Sequence, residues 1–380
     1  LLSAPQAFEN FANPVIFLFM GGFALAASLQ KYGLDQLFAL KMLSLARGRP
    51  FIAILLLFLT TAILSMWISN TATIALMLPI TLGLLSRQSA DENPNMYVFV
   101  LLGLAYSANL GGMVTLIGSP PNAIAASAAG LSFADWLQWG VPLFALLFPL
   151  MIVILFLIFR PKFTQSIAFE LKVIDYHWHR NLALIIFVFT ALGWIFSVPL
   201  SQLLGISKDF DAMLAVLAII LLTGSKCLPY DDFIKQTNWG ILILFGGGLT
   251  LSALLSASGA SMWLANQIST NLPTNNTWLL LFIICLFVVF LTELVSNTAS
   301  AALLVPLFMS VAVDLHLPPV AIAVVIALSA SCAFMLPVAT PPNAIVFSSG
   351  FVPQQQMMRA GLILNLVFAV VITSIATLIM

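Results

Sequence analysis

Charge is scarce in this chain. Only 7% of its 380 residues are Asp, Glu, Lys or Arg, against about 25% in a soluble domain, so it cannot cover a water-facing surface. Lys and Arg balance Asp and Glu at 13 each, and a net charge of zero gives no reason to expect nucleic acid as a partner. Cysteine and histidine number three each. Cys227, Cys285 and Cys332 stand apart, without the spacing of a metal or redox pair, and read as packing residues. His177 and His179 lie in a polar stretch, and His316 sits beside a double proline; an isolated HxH is a weak metal signal. Asp, Glu and His do not cluster within the apolar runs, so a membrane-embedded enzyme lacks its nucleophile–base or metal constellation.

What the chain does have is apolar length. Hydrophobic residues make up 62% of it and the mean hydropathy is +1.11. The runs 140–159, 181–199 and 360–380 approach or exceed the roughly 20 apolar residues that cross a bilayer as a helix. A transmembrane β-barrel needs alternating segments of about ten residues, and these runs are continuous. The composition predicts an all-α polytopic membrane protein whose main partner is the lipid bilayer.

Polar motifs recur inside the apolar stretches. Residues 69–73 read SNTAT and residues 296–300 read SNTAS; IGSPPNAI at 117–124 is echoed by VATPPNAI at 338–345. Phe19–Leu25 aligns with Phe245–Leu251 at an offset of 226, with Gly33 falling on Gly259. The SNT copies and the prolines behind them, Pro79 and Pro306, are offset by 227, and the PPNAI copies by 221. Landmarks in one order at nearly one offset predict an internal repeat. The second copy carries apolar runs at 181–199 and 211–225 ahead of its glycine cluster. Their counterparts would precede residue 1, so the repeat predicts missing N-terminal helices.

Charge suggests topology. Let 50–87 be a re-entrant hairpin opening on one side and 275–313 its counterpart from the other. Single crossings for the remaining runs then put every basic residue except Lys208 on one side, the pattern of a cytoplasmic face. Two full crossings over 50–87 give the same parity, so the hairpin reading rests on polarity: Ser65, Ser69, Asn70, Thr71 and Thr73 gather where the chain would turn. Irregular backbone at that depth is tolerated only when buried in protein or lining a cavity. Two halves in opposite orientation make an inverted repeat, with two opposed re-entrant helical hairpins and broken transmembrane helices, as in many secondary transporters.

The motifs carry suitable chemistry. Asn can turn its oxygen toward a cation and its NH₂ toward an anion, and Ser and Thr hydroxyls can accept and donate. Gly-Ser-Pro-Pro and Ala-Thr-Pro-Pro must interrupt a helix, because Pro removes a donor and disfavours α geometry in the preceding residue. The breaks free the carbonyls of Gly118 and Ala339 for a hard cation, while the next helix offers its N-terminus to an anion. A single SNT is a common helix-packing element; two, each with its PPN, are not explained by packing. With no Lys or Arg inside an apolar run, an anionic substrate needs an imported countercharge, most simply sodium. Glu293 departs from the repeat: it lies in an apolar run, and its counterpart is Met66. An ionisable residue at membrane depth is a functional candidate, for a proton, for a cation, or as a hydrogen-bonded support.

Together the two SNT motifs and the following IGSPPNAI and VATPPNAI resemble the divalent anion–sodium symporter family, also called the INDY type, over essentially all 380 residues. The resemblance implies sodium-coupled uptake of C4-dicarboxylates such as succinate by alternating access, in a homodimer in a bacterial inner membrane. It implies a first sodium site of Ser65, Ser69, Asn70 and the Gly118 carbonyl, and a second of Thr292, Val295, Asn297 and the Ala339 carbonyl. A small dianion would sit between the tips against Asn70, Thr71, Ser119, Asn297, Thr298, Thr340 and Pro341. Residues 1–49 and 181–274 would be scaffold, with amphipathic connectors near 31–47 and 258–272. Residues 50–160 and 275–380 would be the transport domain, and 161–180 a cytoplasmic loop. Sodium-independent exchange, sulfate or citrate symport, and a proton-coupled carrier relying on Glu293 stay open as alternatives. Measured against the family's pattern, the first helices would be expected ahead of residue 1.

Overall fold

The computed structural model describes residues 3–86, 92–163, 178–206, 209–260, 262–263, 266–267, 276–314 and 317–379. Arg87, Lys172, His177, Lys208 and His316 lie outside them, as do residue 275 of the expected second hairpin, most of the loop 161–180 and much of the connector near 258–272. Among the described residues the regular structure is entirely helical.

The first half runs α1 (Ala4–Glu9), α2 (Pro14–Lys31), α3 (Leu34–Ser44), α4 (Pro50–Ser65), α5 (Asn70–Leu85), α6 (Pro94–Gly112), α7 (Pro120–Ala129) and α8 (Phe133–Phe159). The second part runs α9 (Trp178–Ile195), α10 (Ser197–Leu204), α11 (Phe210–Gly224), α12 (Tyr230–Gln236), α13 (Trp239–Ala257), α14 (Thr277–Thr292), α15 (Asn297–Asp314), α16 (Pro319–Ala330), α17 (Pro341–Phe347) and α18 (Gln354–Ile379). Proline sets many of the starts: α2, α4, α6, α7, α16 and α17 each begin on one. That position needs no N–H partner and suits the fixed φ of proline. Asn13 accepts from Val15 N–H at 3.0 Å to cap α2, and Ser132 and Asp135 form a capping box on α8. Gly33 and Gly259, paired at the sequence offset, both take left-handed φ, +60° and +76°, a conformation glycine enters without steric cost.

Among the described residues, four helical stretches, Ala4–Lys31, Phe133–Phe159, Trp178–Ile195 and Gln354–Leu378, are long and apolar enough to cross a membrane. Val153 and Leu157 of α8, and Ile185 and Phe189 of α9, are each more than half exposed. In water such faces would be costly; in lipid they are the expected outer surface. By contrast α6 is buried on every face from Met96 to Gly112, and α16 from Ala321 to Ala330. A helix apolar and buried all round is central, and these two lead into the PPN motifs. The protein is therefore a multi-pass helical membrane protein with two enclosed helices at its centre.

Around that centre, α2 lies so close to α11 that a Cβ on Gly21 would meet Ala215 Cβ at 2.6 Å. Phe19 of α2 and Phe245 of α13, partners at the offset of 226, are both 1% exposed and pack ring to ring at 5.2 Å. At the end of α2, Lys31 reaches Asp232 at 2.8 Å, and this hydrogen bond holds the Asp232 carboxyl below its ordinary range. His179 stacks on Tyr32, with ring centroids 6.3 Å apart. Cys227, Cys285 and Cys332 are all buried thiols.

Candidate functional site

Both SNT motifs fall at helix junctions. Between α4 and α5 the helix stops at Ser65 and restarts at Asn70, where Ser69 Oγ accepts from Ala72 N–H at 3.3 Å as the cap. Between α14 and α15 it stops at Thr292 and restarts at Asn297. The PPN motifs mark two further breaks. Residues 113–119 separate α6 from α7, and 331–340 separate α16 from α17, as the double prolines predict.

The first junction is compact. Ser65 Oγ donates to Asn70 Oδ1, and a Cβ on Gly112 would meet that oxygen at 2.6 Å. A Cβ on Gly118 would meet the Gly112 carbonyl at 2.7 Å and the Ser65 carbonyl at 3.1 Å. Ser65, Asn70 and Gly118, predicted as one cluster, are thus brought together, with the Gly112 carbonyl beside them. Thr115 ties the parts: its hydroxyl donates to the Met66 carbonyl and accepts from Gly118 N–H at 3.1 Å.

In the second junction Thr292 is fully buried, and its hydroxyl donates to the Val289 carbonyl at 3.0 Å. Asn297 Oδ1 is buried with no hydrogen-bond partner. Val295 offers only its backbone, for its side chain is exposed and its N–H is engaged by the Leu291 carbonyl at 3.0 Å. Ala339, Thr340 and Ser119 are buried, Thr298 is half-buried, and Thr71 and Pro341 are exposed.

Thr340 Oγ1 accepts from Asn343 N–H and from Asn109 Nδ2, both at 3.3 Å. With both acceptor positions used, the hydroxyl proton is free to be donated elsewhere. Asn109 is 2% exposed and lies on α6 of the other half. Sequence reasoning missed it, because its neighbour is 231 positions away. The halves interlock in the same sense elsewhere: α5 packs on α17, α15 on α7, and α6 on α17.

The asparagines of the two PPN motifs were also missed as individual side chains, and they carry the clearest echo of the repeat. Asn122 Nδ2 donates to the carbonyls of Gly112 at 2.8 Å and Thr115 at 2.7 Å. Asn343 Nδ2 donates to the carbonyls of Ala333 at 3.0 Å and Leu336 at 3.1 Å. All three positions are related by 221, the offset of the motifs themselves. Glycines repeat the pattern: a Cβ on Gly140 of α8 would collide with the Val114 carbonyl, and one on Gly361 of α18 with the Phe334 carbonyl. Each long closing helix lies directly on an unwound segment. Gly140→Ala and Gly361→Ala are expected to force those segments apart at a cost of about 1–3 kcal/mol. Gly83→Ala, whose Cβ would meet nothing within 4 Å, is expected to hold or raise stability, since alanine is favoured over glycine in a helix by about 1 kcal/mol. Thermal unfolding in detergent ranks the three; an unchanged midpoint for Gly361→Ala contradicts the close approach.

This arrangement of oxygen donors at helix breaks, with no Lys or Arg buried among the described residues, suits small cations accompanied by an anion rather than covalent chemistry. Comparison with known proteins agrees on the class. A family model described as "Citrate transporter" matches residues 1–274, and one described as "Sodium:sulfate symporter transmembrane region" matches residues 177–379. An uncharacterised transporter of Haemophilus influenzae is 51% identical over 98% of this chain and 83% of its own length. The sodium-dependent dicarboxylate transporter SdcS of Staphylococcus aureus strain MRSA252 is 32% identical over 100% of this chain and 79% of its own. Among solved structures, the YdaH transporter of Alcanivorax borkumensis has the same fold, with a TM-score of 0.58 at 14% identity over 98% of this chain and 89% of that one. On its sequence matches, the chain belongs to the divalent anion–sodium symporter family of membrane transporters.

Proposed function

We propose that this protein couples inward sodium movement to the uptake of C4-dicarboxylates such as succinate by alternating access, in a bacterial inner membrane. The SdcS relatives support the substrate and the coupling ion. Sodium at a first half-site would be held by Ser65, Ser69, Asn70 and the Gly118 carbonyl, and at a second by Thr292, Val295, Asn297 and the Ala339 carbonyl. The dianion would lie between the tips, against Asn70, Thr71, Ser119, Asn297, Thr298, Thr340 and Pro341.

The observation that carries this reading is Asn297 Oδ1, a buried acceptor without a partner at the start of a helix. Leaving such a group unpaired costs about 1–3 kcal/mol, and a monovalent cation would satisfy it. The cation in turn supplies the positive charge that the core lacks, so that anion binding depends on sodium binding.

The helix lengths fit the re-entrant reading. Helices α4, α5 and α14 have 16 residues each, about 24 Å at 1.5 Å per residue, short of a hydrocarbon core of about 30 Å. The inverted repeat is supported by the Phe19–Phe245 contact, since residues that meet their own counterparts lie on an axis relating the halves. In this reading 50–160 and 275–380 move against a scaffold of 1–49 and 181–274. The two units touch at equivalent glycines, Gly22 against Ile117 and Gly248 against Ala302, which present no side chain to obstruct sliding. Calorimetric titration of the purified protein in sodium or choline chloride tests the reading. Succinate binding that requires sodium, with sulfate and citrate weaker, is the expected result; equal binding in choline refutes the coupling.

A further inference from the structure

Glu293 stands between the two sides of the second half-site. It directly follows Thr292, is 3% exposed, and its carboxylate accepts from Met335 N–H and Leu336 N–H, both at 2.9 Å, and from Asn365 Nδ2 at 2.7 Å. These partners are all donors, and among the described residues no Lys or Arg pairs with it. Successive backbone N–H groups converging on an anion form a nest, here closed over a side chain of the protein itself.

Leu336 passes the constraint on. Its N–H is held by Glu293, while its carbonyl accepts from Ala339 N–H at 3.2 Å and from Asn343 Nδ2 at 3.1 Å. The Ala339 carbonyl, a proposed sodium ligand, is therefore tied through Leu336 to the tip that carries Thr292, Val295 and Asn297. The first half joins the same two positions by opposite chemistry. Met66 corresponds to Glu293 and Thr115 to Leu336, and there the Thr115 hydroxyl donates to the Met66 carbonyl. One joint is a single neutral hydrogen bond. The other is a carboxylate with three donors, and hydrogen bonds to a charged group are roughly twice as strong as neutral ones.

We propose that Glu293 is a positioning residue that sets the sodium affinity of the second half-site by locking the 331–340 segment to the α14–α15 tip, and that the two half-sites are consequently unequal, the second being the stronger. The inference rests on the sodium-coupled reading above. A carboxylate serving the fold alone would change stability without changing ion affinity, whereas this role changes sodium affinity at a given stability.

The test is a sodium titration of thermal stabilisation in the full-length protein, at constant ionic strength with choline chloride, beside a sodium titration of succinate uptake in proteoliposomes. Glu293→Gln keeps the shape and offers an NH₂ to a backbone donor; its sodium half-saturation is expected to rise about tenfold or more, with the succinate KM at saturating sodium changed far less. Glu293→Asp keeps the charge but is one methylene short of spanning both N–H groups, and should fall between wild type and Glu293→Gln. Thr115→Val, at the weaker joint, is expected to shift sodium half-saturation less than Glu293→Gln does. A Glu293→Gln protein with wild-type sodium half-saturation and only a lower sodium-free midpoint overturns the proposal and leaves sodium coupling standing. A wild-type protein with no sodium response in either assay overturns both. Should Glu293→Gln fail to fold, Asn365→Ala decides: it removes one donor and leaves the carboxylate, a rise in sodium half-saturation supports the role, and an unchanged value overturns it.

Discussion

Asn297→Ala is expected to abolish the proposed sodium-driven succinate uptake while leaving the sodium-free protein as stable as wild type or more so. The two effects separate because the Asn297 oxygen is a buried acceptor with no partner in the protein. Removing it removes a desolvated group that contributes nothing to folding on its own, and replacing an unsatisfied polar group by an apolar one can be neutral or stabilising. The same atom is the proposed sodium ligand, and its amide is the proposed donor to the dianion. Charge-assisted contacts are worth roughly 1.5–3 kcal/mol each, so losing both costs transport more than about a hundredfold. Asn70→Ala loses uptake to the same degree, but its Oδ1 accepts from Ser65 Oγ, so a lower sodium-free midpoint is expected as well. Uptake into proteoliposomes and thermal unfolding in choline chloride check both arms. Wild-type uptake by either variant removes that residue from the site. A sodium-free midpoint for Asn297→Ala well below wild type shows the oxygen engaged in folding.

Asn343→Ala and Asn122→Ala are expected to destabilise the protein strongly and to abolish transport with it. Each side chain spends both amide hydrogens on two carbonyls of the preceding break, Gly112 at the end of α6 and Thr115 for Asn122, Ala333 and Leu336 for Asn343. Alanine takes the donor from the Gly112 and Thr115 carbonyls in one half and from the Ala333 carbonyl in the other, at roughly 1–3 kcal/mol apiece, while the Leu336 carbonyl keeps Ala339 N–H at 3.2 Å. The effect reaches the half-sites because the stapled carbonyls belong to Thr115 and Leu336, which also fix Gly118 and Ala339. Asn343→Asp should be no better, since a carboxylate cannot donate to a carbonyl. Saturating sodium and succinate raise the midpoints of these variants less than that of wild type and so widen the gap, because ligands stabilise only through the binding that is retained. A near-wild-type midpoint for Asn343→Ala contradicts the stapling role. Loss of transport at an unchanged midpoint would instead place Asn343 in contact with ligand.

Much of this was legible in the sequence because it depends on backbone chemistry. Proline cannot donate, so Pro120–Pro121 and Pro341–Pro342 had to interrupt helices, and they do. SNT had to lie at a junction for its polar groups to be tolerated, and α5 and α15 both start at its asparagine. The offset of 226 marked Gly33 and Gly259 as equivalent, and both take left-handed φ. What could not be read was who meets whom across hundreds of residues. Tyr106 donates to the Phe334 carbonyl at 2.7 Å, and Asn109 reaches Thr340, yet neither has a counterpart motif in the other half. Gly140 and Gly361 had a signal in retrospect, since they share the 221 offset, but glycine is common in membrane helices and its neighbours are set only by packing. Glu293 was visible as an oddity. Its partners are backbone N–H groups, which no residue identity announces.

The most direct test of the central claim is radiolabelled succinate uptake by proteoliposomes containing the full-length protein, with and without an inward sodium gradient. Sodium-coupled uptake predicts accumulation that requires the gradient and collapses when choline replaces sodium. Equal uptake without sodium, appearing only when dicarboxylate is loaded inside, would contradict it and make the protein an exchanger built on the same pocket.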